Sequence, residues 1–350
     1  MSSIIGIDLF CGAGGVTCGF KKAGINMRVG IDCDLAFKQT YEKNNNVSFL
    51  CADIRLLCAE IIIKEARLVS GGNLIVSSCA PCQPFSLQNN KNKNEFDYRK
   101  DLGYELIRIL KEFKTRNIVP QALFMENVPE FEKSPVWKEI DLELHRMRYS
   151  IVSKVINCAA YGIPQNRKRF IAVARLGYEH FSFPDETHGP GKHPFSTVRD
   201  AFKGLKRLKA GMACKNVPNH QTRSLSALNL KRISSVPKNG GSRTSFPEEL
   251  VLQCHKKFGG HKDVYGRMKN DEPSPTITTR CVSITNGRFG HPDEDRGISL
   301  REAARLQAFP DDFIFYGNNL EKNSKMIGNA VPVRCAEIFG GFIKEKLFSG

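Results

Sequence analysis

The sequence lacks any apolar run approaching the roughly 20 residues that a membrane-spanning helix needs, and it contains no internal repeat or low-complexity tract. Its first 20 residues have no basic flank and set Asp8 inside the apolar stretch, which argues against a secretory leader. Cysteine is thinly spread: 12 residues among 350, without paired spacings, are too dilute for a disulfide framework. A reducing cytoplasm suits that usage best. The one C-x-x-C, Cys79 to Cys82, has neither a second pair nor a spaced histidine pair, so a structural zinc would be short of ligands and no metal is expected. Acidic residues are also in deficit, 36 Asp plus Glu against 52 Lys plus Arg, for a net charge of +16.

What is present is a globular composition, with 41% apolar residues and a length that suggests two domains at roughly 150 residues each. The first 175 residues alternate short apolar runs with longer amphipathic ones. Ile4 to Phe10, Arg28 to Asp32, Ser48 to Cys51, Asn73 to Ser78 and Gln121 to Met125 read as buried strands. Gly15 to Lys22, Leu35 to Lys43 and Leu102 to Lys114 read as helices. Strands alternating with helices predict an α/β fold with a parallel sheet covered on both faces, because a parallel connection needs a crossover. After about Gly177, Pro, Gly, Ser, Asn and His become frequent. Between Phe181 and Arg280 there are 18 Lys plus Arg and 8 Asp plus Glu, so most of the positive excess is concentrated in these hundred residues. Helical patterning returns at Ser299 to Ala308, and Val333 to Leu347 reads as a closing helix that packs back on the first domain.

Several segments carry chemistry. Ile4 to Gly15 is a strand running into the glycine turn Phe10-Cys11-Gly12-Ala13-Gly14-Gly15 and then a helix, a shape that admits a ligand close to the backbone. Thr17 stands where a dinucleotide fingerprint has its third glycine, and alone the turn could be only a tight βα connection. Asp32, about twenty residues on at the next strand end, could accept both ribose hydroxyls, and Asp53 beyond the following strand could accept from an adenine amino group. Cys82, flanked by Pro81 and Pro84, follows a fourth strand at the edge where open α/β sheets bind ligands. It could equally be an inert thiol or half of a redox pair, although the bracketing prolines do not fit a thioredoxin-type helix start. The next strand delivers Glu126, either a strand-end cap or, held among apolar neighbours with a raised pKa, a proton donor. In Tyr161 to Arg169, Arg169 adjoins the buried run Phe170 to Ala174 and is better placed than Lys168 to reach an active site.

Taken together these segments resemble the C5-cytosine DNA methyltransferases, and the resemblance covers nearly the whole chain apart from the basic middle. It rests on Asp8 to Gly15, Pro81-Cys82-Gln83, Glu126-Asn127-Val128 and Gln165-x-Arg167-x-Arg169. Arg301 to Asp311 and Gly328-Asn329-Ala330-Val331-Pro332 complete the family order. The resemblance implies a Rossmann-like S-adenosylmethionine-dependent sheet over residues 1–180, a smaller, loop-rich target-recognition domain over 181–321, and a return to the catalytic domain over 322–350.

It also implies a chemistry. Cys82 would bond to carbon 6 of a flipped-out cytosine, Glu126 would hold N3 and the amino group, Arg169 would hold O2, and Arg167 would support Glu126 or the loop Phe85 to Lys100. S-adenosyl-L-methionine would lie against Phe10, Gly12, Gly14, Asp32, Asp53, Ile54, Asn329 and Val331. Cys33 replaces the aromatic residue common after the ribose acid, and Cys79-Ala80 replaces glycines common before the nucleophile. The partner would be double-stranded DNA, gripped through phosphates by the basic segment from about Phe181 to Asn286 and read in its major groove. The chain resembles compact bacterial modification enzymes, acting as a monomer in the cytoplasm near the nucleoid, with room for a cognate restriction endonuclease on the same site. Three other readings compete. A transfer-RNA cytosine methyltransferase of the same family would carry Cys-Phe-Thr where this chain offers Cys254-His255-Lys256. A nicotinamide oxidoreductase would want the third glycine, and a catalytically dead DNA-binding relative would not keep every catalytic position.

Overall fold

The computed structural model describes residues 3–81, 98–177, 180–256 and 263–348. Two compact units form, the first from residues up to Asn157 with Lys168–Glu186 and the segment from Val333 onward, the second from Cys158–Arg167 and Thr187–Pro332. The chain thus rejoins its first unit at Val333, where the sequence reading set the return at 322. A decapeptide between two strands of the first unit belongs to the second.

In the first unit the elements run β1 (Ile5–Leu9), α1 (Gly15–Lys22), β2 (Asn26–Asp32), α2 (Lys38–Asn45), β3 (Ser48–Cys51), α3 (Ala59–Ala66), β4 (Leu74–Ser78), α4 (Tyr104–Lys114), β5 (Ala122–Asn127), α5 (Pro135–Arg146), β6 (Tyr149–Asn157) and β7 (Lys168–Leu176). The strands form one sheet in the order β3-β2-β1-β4-β5-β7-β6. β1 to β5 are parallel, whereas β7 runs antiparallel between β5 and β6. The parallel strands read as continuous apolar runs because both faces are covered: Ile7, Val29, Val76 and Leu123 pack on one side with α3 and α4. The segment expected as one helix from Leu35 to Lys43 is instead a 3₁₀ turn, Leu35–Phe37, capped by Asp34, followed by α2.

Strand order reverses at β1, since β2 and β3 lie on one side of it and β4 and β5 on the other. The connections after β1 and β4 therefore diverge, leaving a crevice at their carboxyl ends, which is where open α/β sheets bind ligands. The closing helix α11 (Val333–Leu347) packs on α1 in the same unit.

The second unit contains α6 (Val198–Phe202), α7 (Ala227–Ser235), α8 (Gln253–Lys256), α9 (Leu300–Leu306) and α10 (Leu320–Asn329) among long irregular stretches. Irregular backbone leaves many carbonyls without ladder partners, and buried arginines satisfy them. Arg267, 0% exposed, donates to the carbonyls of Ile233, Val236, His291 and Glu294 and pairs with Asp295. Arg301 donates to Pro218, Pro310 and Phe313. Arg296 grips Glu302 through two hydrogen bonds of 2.8 and 2.7 Å, while Glu302 closes the capping box at Ser299 that starts α9. Part of the basic excess read from the sequence is therefore internal scaffolding.

Candidate active site

The glycine turn after β1 is shaped by three residues in the left-handed region, Phe10 (φ 60°), Gly12 (φ 51°) and Gly14 (φ 94°). A side chain at Gly14 would strike Asn45 and Tyr41, its Cβ 2.3 and 2.9 Å from their atoms, whereas a Cβ at Gly12 would meet no protein atom within 4 Å. The space beside Gly12 is open, and Asp32 lies next to it. The Asp32 carboxylate accepts the Gly12 N–H and the Asp34 N–H, both at 2.9 Å, which ties the end of β2 to the turn. Burial pushes its pKa up against the pull of these two N–H groups.

Beneath the turn runs a buried polar chain. Asp8, 0% exposed, accepts from Thr17 Oγ1 and Ser77 Oγ, each at 2.7 Å, and Thr17 Oγ1 lies 2.9 Å from the Tyr41 hydroxyl. Asp8 and Ser77 face each other because they are register partners across β1 and β4. Burial raises the Asp8 pKa to about 6 and pushes the thiol of neighbouring Cys11 well above its ordinary range, so that thiol is no nucleophile. Asp8, Thr17 and Ser77 all lie in segments that the sequence singles out, but neither their contact with one another nor the part of Tyr41 is read there. A hydroxyl and a serine at strand and helix positions facing an apolar-flanked Asp are the signal that could have found them.

Asp53 caps the 3₁₀ turn Ile54–Leu56 and pairs with Arg55, which draws its pKa down. The Ile54 side chain is buried in the sheet core, so what this residue can offer a ligand is its backbone. Cys82 and the loop from Phe85 to residue 97 lie outside the described residues. The strand leading to them is described: Cys79 N–H reaches Leu9 O at 3.4 Å, and burial raises the Cys79 thiol well above its ordinary pKa.

Glu126 is the penultimate residue of β5, and the antiparallel course of β7 returns Arg169 to the same sheet edge. Arg169 Nε lies 2.8 Å from Glu126 Oε1, with the two side chains 13% and 12% exposed. Arg169 also donates to Lys168 O. Glu126, Asn127 and Ser78 are polar members of the lining of a small pocket that also includes Met125, Phe131, Trp137 and Phe170. Asn127 donates to Ala80 O at 3.3 Å and accepts the Val128 N–H, which links the end of β5 to the segment entering Cys82.

Arg167, in the second unit, is buried, and its described hydrogen bonds go to the carbonyls of Ile277, Gly328 and Ala330. Gln165 adds bonds to Leu306 O, the Gln307 side chain and the Ile277 N–H, and Gln307 holds Ile327 O. Asn329, exposed at the end of α10, and buried Val331 sit on the segment that these side chains fix. Arg167 is a positioning residue for that segment. Among the described residues no group of three or more His, Cys, Asp or Glu could hold a metal, no disulfide forms between the free thiols, and no helix is long and apolar enough to cross a membrane.

Comparison with known proteins adds the family. The Type II methylase M.HgiDII of Herpetosiphon aurantiacus is 38% identical over 353 residues, covering 97% of this chain and 95% of its own. The Type II methyltransferase M1.HphI of Haemophilus parahaemolyticus is 30% identical, covering 96% and 85%. In three dimensions a crystal structure described as a DNA modification methyltransferase encoded within an E. coli prophage matches with a TM-score of 0.70 at 23% identity over 99% of this chain and 100% of that one, a likeness of fold. The model of the C-5 cytosine-specific DNA methylases matches residues 4–345. With that span, that sheet order and those motifs in one chain, the protein belongs to the C-5 cytosine-specific DNA methylases and is a DNA (cytosine-5) methyltransferase.

Proposed function

We propose that the enzyme methylates a cytosine extruded from a specific duplex DNA sequence, with Cys82 as nucleophile, Glu126 and Arg169 as the groups that hold the base, and S-adenosyl-L-methionine bound at the carboxyl ends of β1 to β3. The observation that carries this reading is the nearly buried Glu126–Arg169 pair at 2.8 Å. The Watson–Crick edge of cytosine presents an amino donor, the N3 acceptor and the O2 acceptor in sequence. A carboxyl group and a guanidinium side by side match that order, the carboxyl taking the amino group and protonating N3 while the guanidinium takes O2. Addition of the Cys82 thiolate then forms a sulfur–carbon 6 bond, the ring electrons move to carbon 5, and Glu126 and Arg169 hold the charge that would otherwise build on N3 and O2. Carbon 5 thereby becomes nucleophilic. Later loss of its proton to water and expulsion of Cys82 restore the aromatic ring.

The residues of the glycine turn fit the cofactor. The empty position above Gly12 is a cradle that a Cβ would fill, the Asp32 carboxylate has lone pairs left for two hydroxyls, and Asp53 and Ile54 bound the adenine end. When bound, S-adenosyl-L-methionine supplies an electrophilic methyl group. Phe10 and Gly14 shape the same turn, and Asn329 and Val331 would complete the contacts, with Arg167 setting their backbone.

The recognition region, 181–321, would neutralise phosphates with exposed cations such as Lys192, Lys203, Lys206, Lys209, Lys215 and Lys231. Arg267 is excluded from that task by burial, and Arg199, Lys238 and Lys269 are paired with Asp271, Asp295 and Glu272. We further infer a monomer working in the bacterial cytoplasm beside the nucleoid, as the modification partner of a restriction endonuclease that cuts the same site. Bisulfite sequencing of DNA from cells expressing the chain is expected to reveal 5-methylcytosine in one short sequence. On that site, Cys82→Ser is expected to abolish methyl transfer while DNA affinity stays within about threefold; retained transfer would remove Cys82 as the nucleophile.

A further inference from the structure

The 3₁₀ turn after Asp53 buries Ile54 and Leu57 in the sheet core but leaves its tip residue Leu56 86% exposed. Besides its own bonds from Leu56 N–H to Asp53 O and from Leu57 N–H to Ile54 O, its backbone is held from outside, by α4. Arg108 Nη2 donates to Ile54 O at 2.7 Å and to Leu57 O at 3.0 Å, so one nitrogen spans the turn from its first residue to the one that closes it. The rest of the guanidinium is held by two carboxylates of its own helix, Nε by Glu105 at 2.6 Å and Nη1 by Glu112. Glu112 then uses its second oxygen to accept the Ala59 N–H at 2.8 Å. That N–H opens α3, whose N-cap Cys58 provides no side-chain cap, so a side chain of another helix supplies it. One arginine–glutamate pair on α4 therefore fixes residues 54, 57 and 59, both legs of the turn and the helix start that follows.

We propose that Arg108, with Glu112, is a positioning residue for the cofactor: by fixing the 53–59 backbone it sets the shape of the adenine end of the site and the preference for an adenine base. The inference rests on the reading that Asp53 and Ile54 bound the adenine. It gives α4 a role besides covering the sheet. Loss of the guanidinium removes one hydrogen bond from each of two carbonyls, leaving Ile54 O with only the 3.3 Å bond from Leu57 N–H, and lets the turn relax, with no change at Glu126, Arg169 or the recognition region.

The test compares the full-length protein with its Arg108→Ala, Glu112→Gln and Asp53→Ala variants, by titration with S-adenosylhomocysteine and with S-inosylhomocysteine, which differs only in the base. The wild type is expected to prefer the adenine ligand. Arg108→Ala should weaken S-adenosylhomocysteine about tenfold, leave S-inosylhomocysteine within threefold, and raise KM for the methyl donor with kcat unchanged. Glu112→Gln keeps an oxygen for the Ala59 N–H and should give a smaller loss of the same kind, which serves if the alanine variant folds poorly. Equal weakening of both ligands, or a fall in kcat at saturating methyl donor, would mean a merely structural role and overturn the proposal. If Asp53→Ala lowers the preference and Arg108→Ala does not, Arg108 alone is overturned; if neither changes it, the placement of adenine at residues 53 and 54 falls as well.

Discussion

Replacing Asp8 by Asn removes a charge that the fold keeps entirely out of water. The carboxyl is 0% exposed, and burial lifts its pKa from 3.8 to about 6 despite the hydroxyls of Thr17 and Ser77. A group whose pKa is raised by folding stabilises the native state below its unfolded value and loses that contribution as pH rises through the folded one. Asp8 is therefore most compatible with the fold below about pH 4 and costs stability through the interval up to pH 6, where it ionises inside the protein. At about 1.4 kcal/mol per pH unit this comes to about 3 kcal/mol by pH 7 to 8. Asn has the same shape. Its carbonyl can accept from one hydroxyl, and its amide can donate to the other, because Ser77 Oγ can turn to Ile7 O and Thr17 Oγ1 to the Tyr41 hydroxyl. Allowing about 1 kcal/mol for that rearrangement, Asp8→Asn should be about 2 kcal/mol more stable than wild type at pH 8. It should be of equal or lower stability at pH 4. In thermal unfolding the difference corresponds to about 4–8 °C for a unit of this size. The assay is the variant-minus-wild-type difference in melting temperature and urea midpoint, followed from pH 4 to 8 so that other titrating groups cancel. A difference that does not change across pH 4 to 6 would refute the buried-charge argument.

Two further substitutions separate packing from ligand space. Gly14→Ala should destabilise the first unit by about 2 kcal/mol or more, since it adds a collision with Asn45 and Tyr41 to an unfavourable positive φ; Gly12→Ala should cost only about 1 kcal/mol of backbone strain but weaken S-adenosylhomocysteine at least tenfold in a fluorescence titration. In the second unit, Glu302→Gln leaves the buried Arg296 guanidinium with Glu294 as its remaining counter-charge and should cost about 1.5–3 kcal/mol. Hydrogen exchange should show that loss in residues 291–306 while β1 to β5 stay protected.

The parallel half of the sheet was legible because strands covered on both faces carry unbroken apolar runs, and Ser48–Cys51, Gly15–Lys22 and Val333–Leu347 appear with the predicted bounds. β6 was not, since an antiparallel strand with a mixed inward and outward pattern leaves no such run. α5 and α10 were also missed, although Ser134 and Asn319 stand at their starts as capping residues. Within the site, the glycine turn and Asp32 could be read from local spacing. The meeting of Glu126 with Arg169 could not be derived from local pattern, because it depends on β7 entering the sheet antiparallel to β5. Arg167 illustrates the same limit. Its carbonyl partners lie 110 to 163 residues further on, so spacing alone gave no sign that its hydrogen bonds go to the 277 and 328–330 backbone. Likewise Arg267 counted toward a basic surface until burial assigned it to the interior.

The decapeptide Cys158–Arg167 leaves the sheet between β6 and β7, and its Gln165 and Arg167 clasp backbone supplied by Ile277, Leu306, Gly328 and Ala330. A chimera that borrows residues 187–332 from a relative would inherit the carbonyls and amide of that clasp but keep the host's Gln165 and Arg167. Grafts between relatives should therefore tolerate wide variation in the stretch up to about residue 272, and fail when the donor's 274–280 or 306–331 backbone departs from the shape this clasp fits. Exchange is then confined to the stretch before about residue 272, while the 274–280 and 306–331 backbone stays fastened to an unchanged hook.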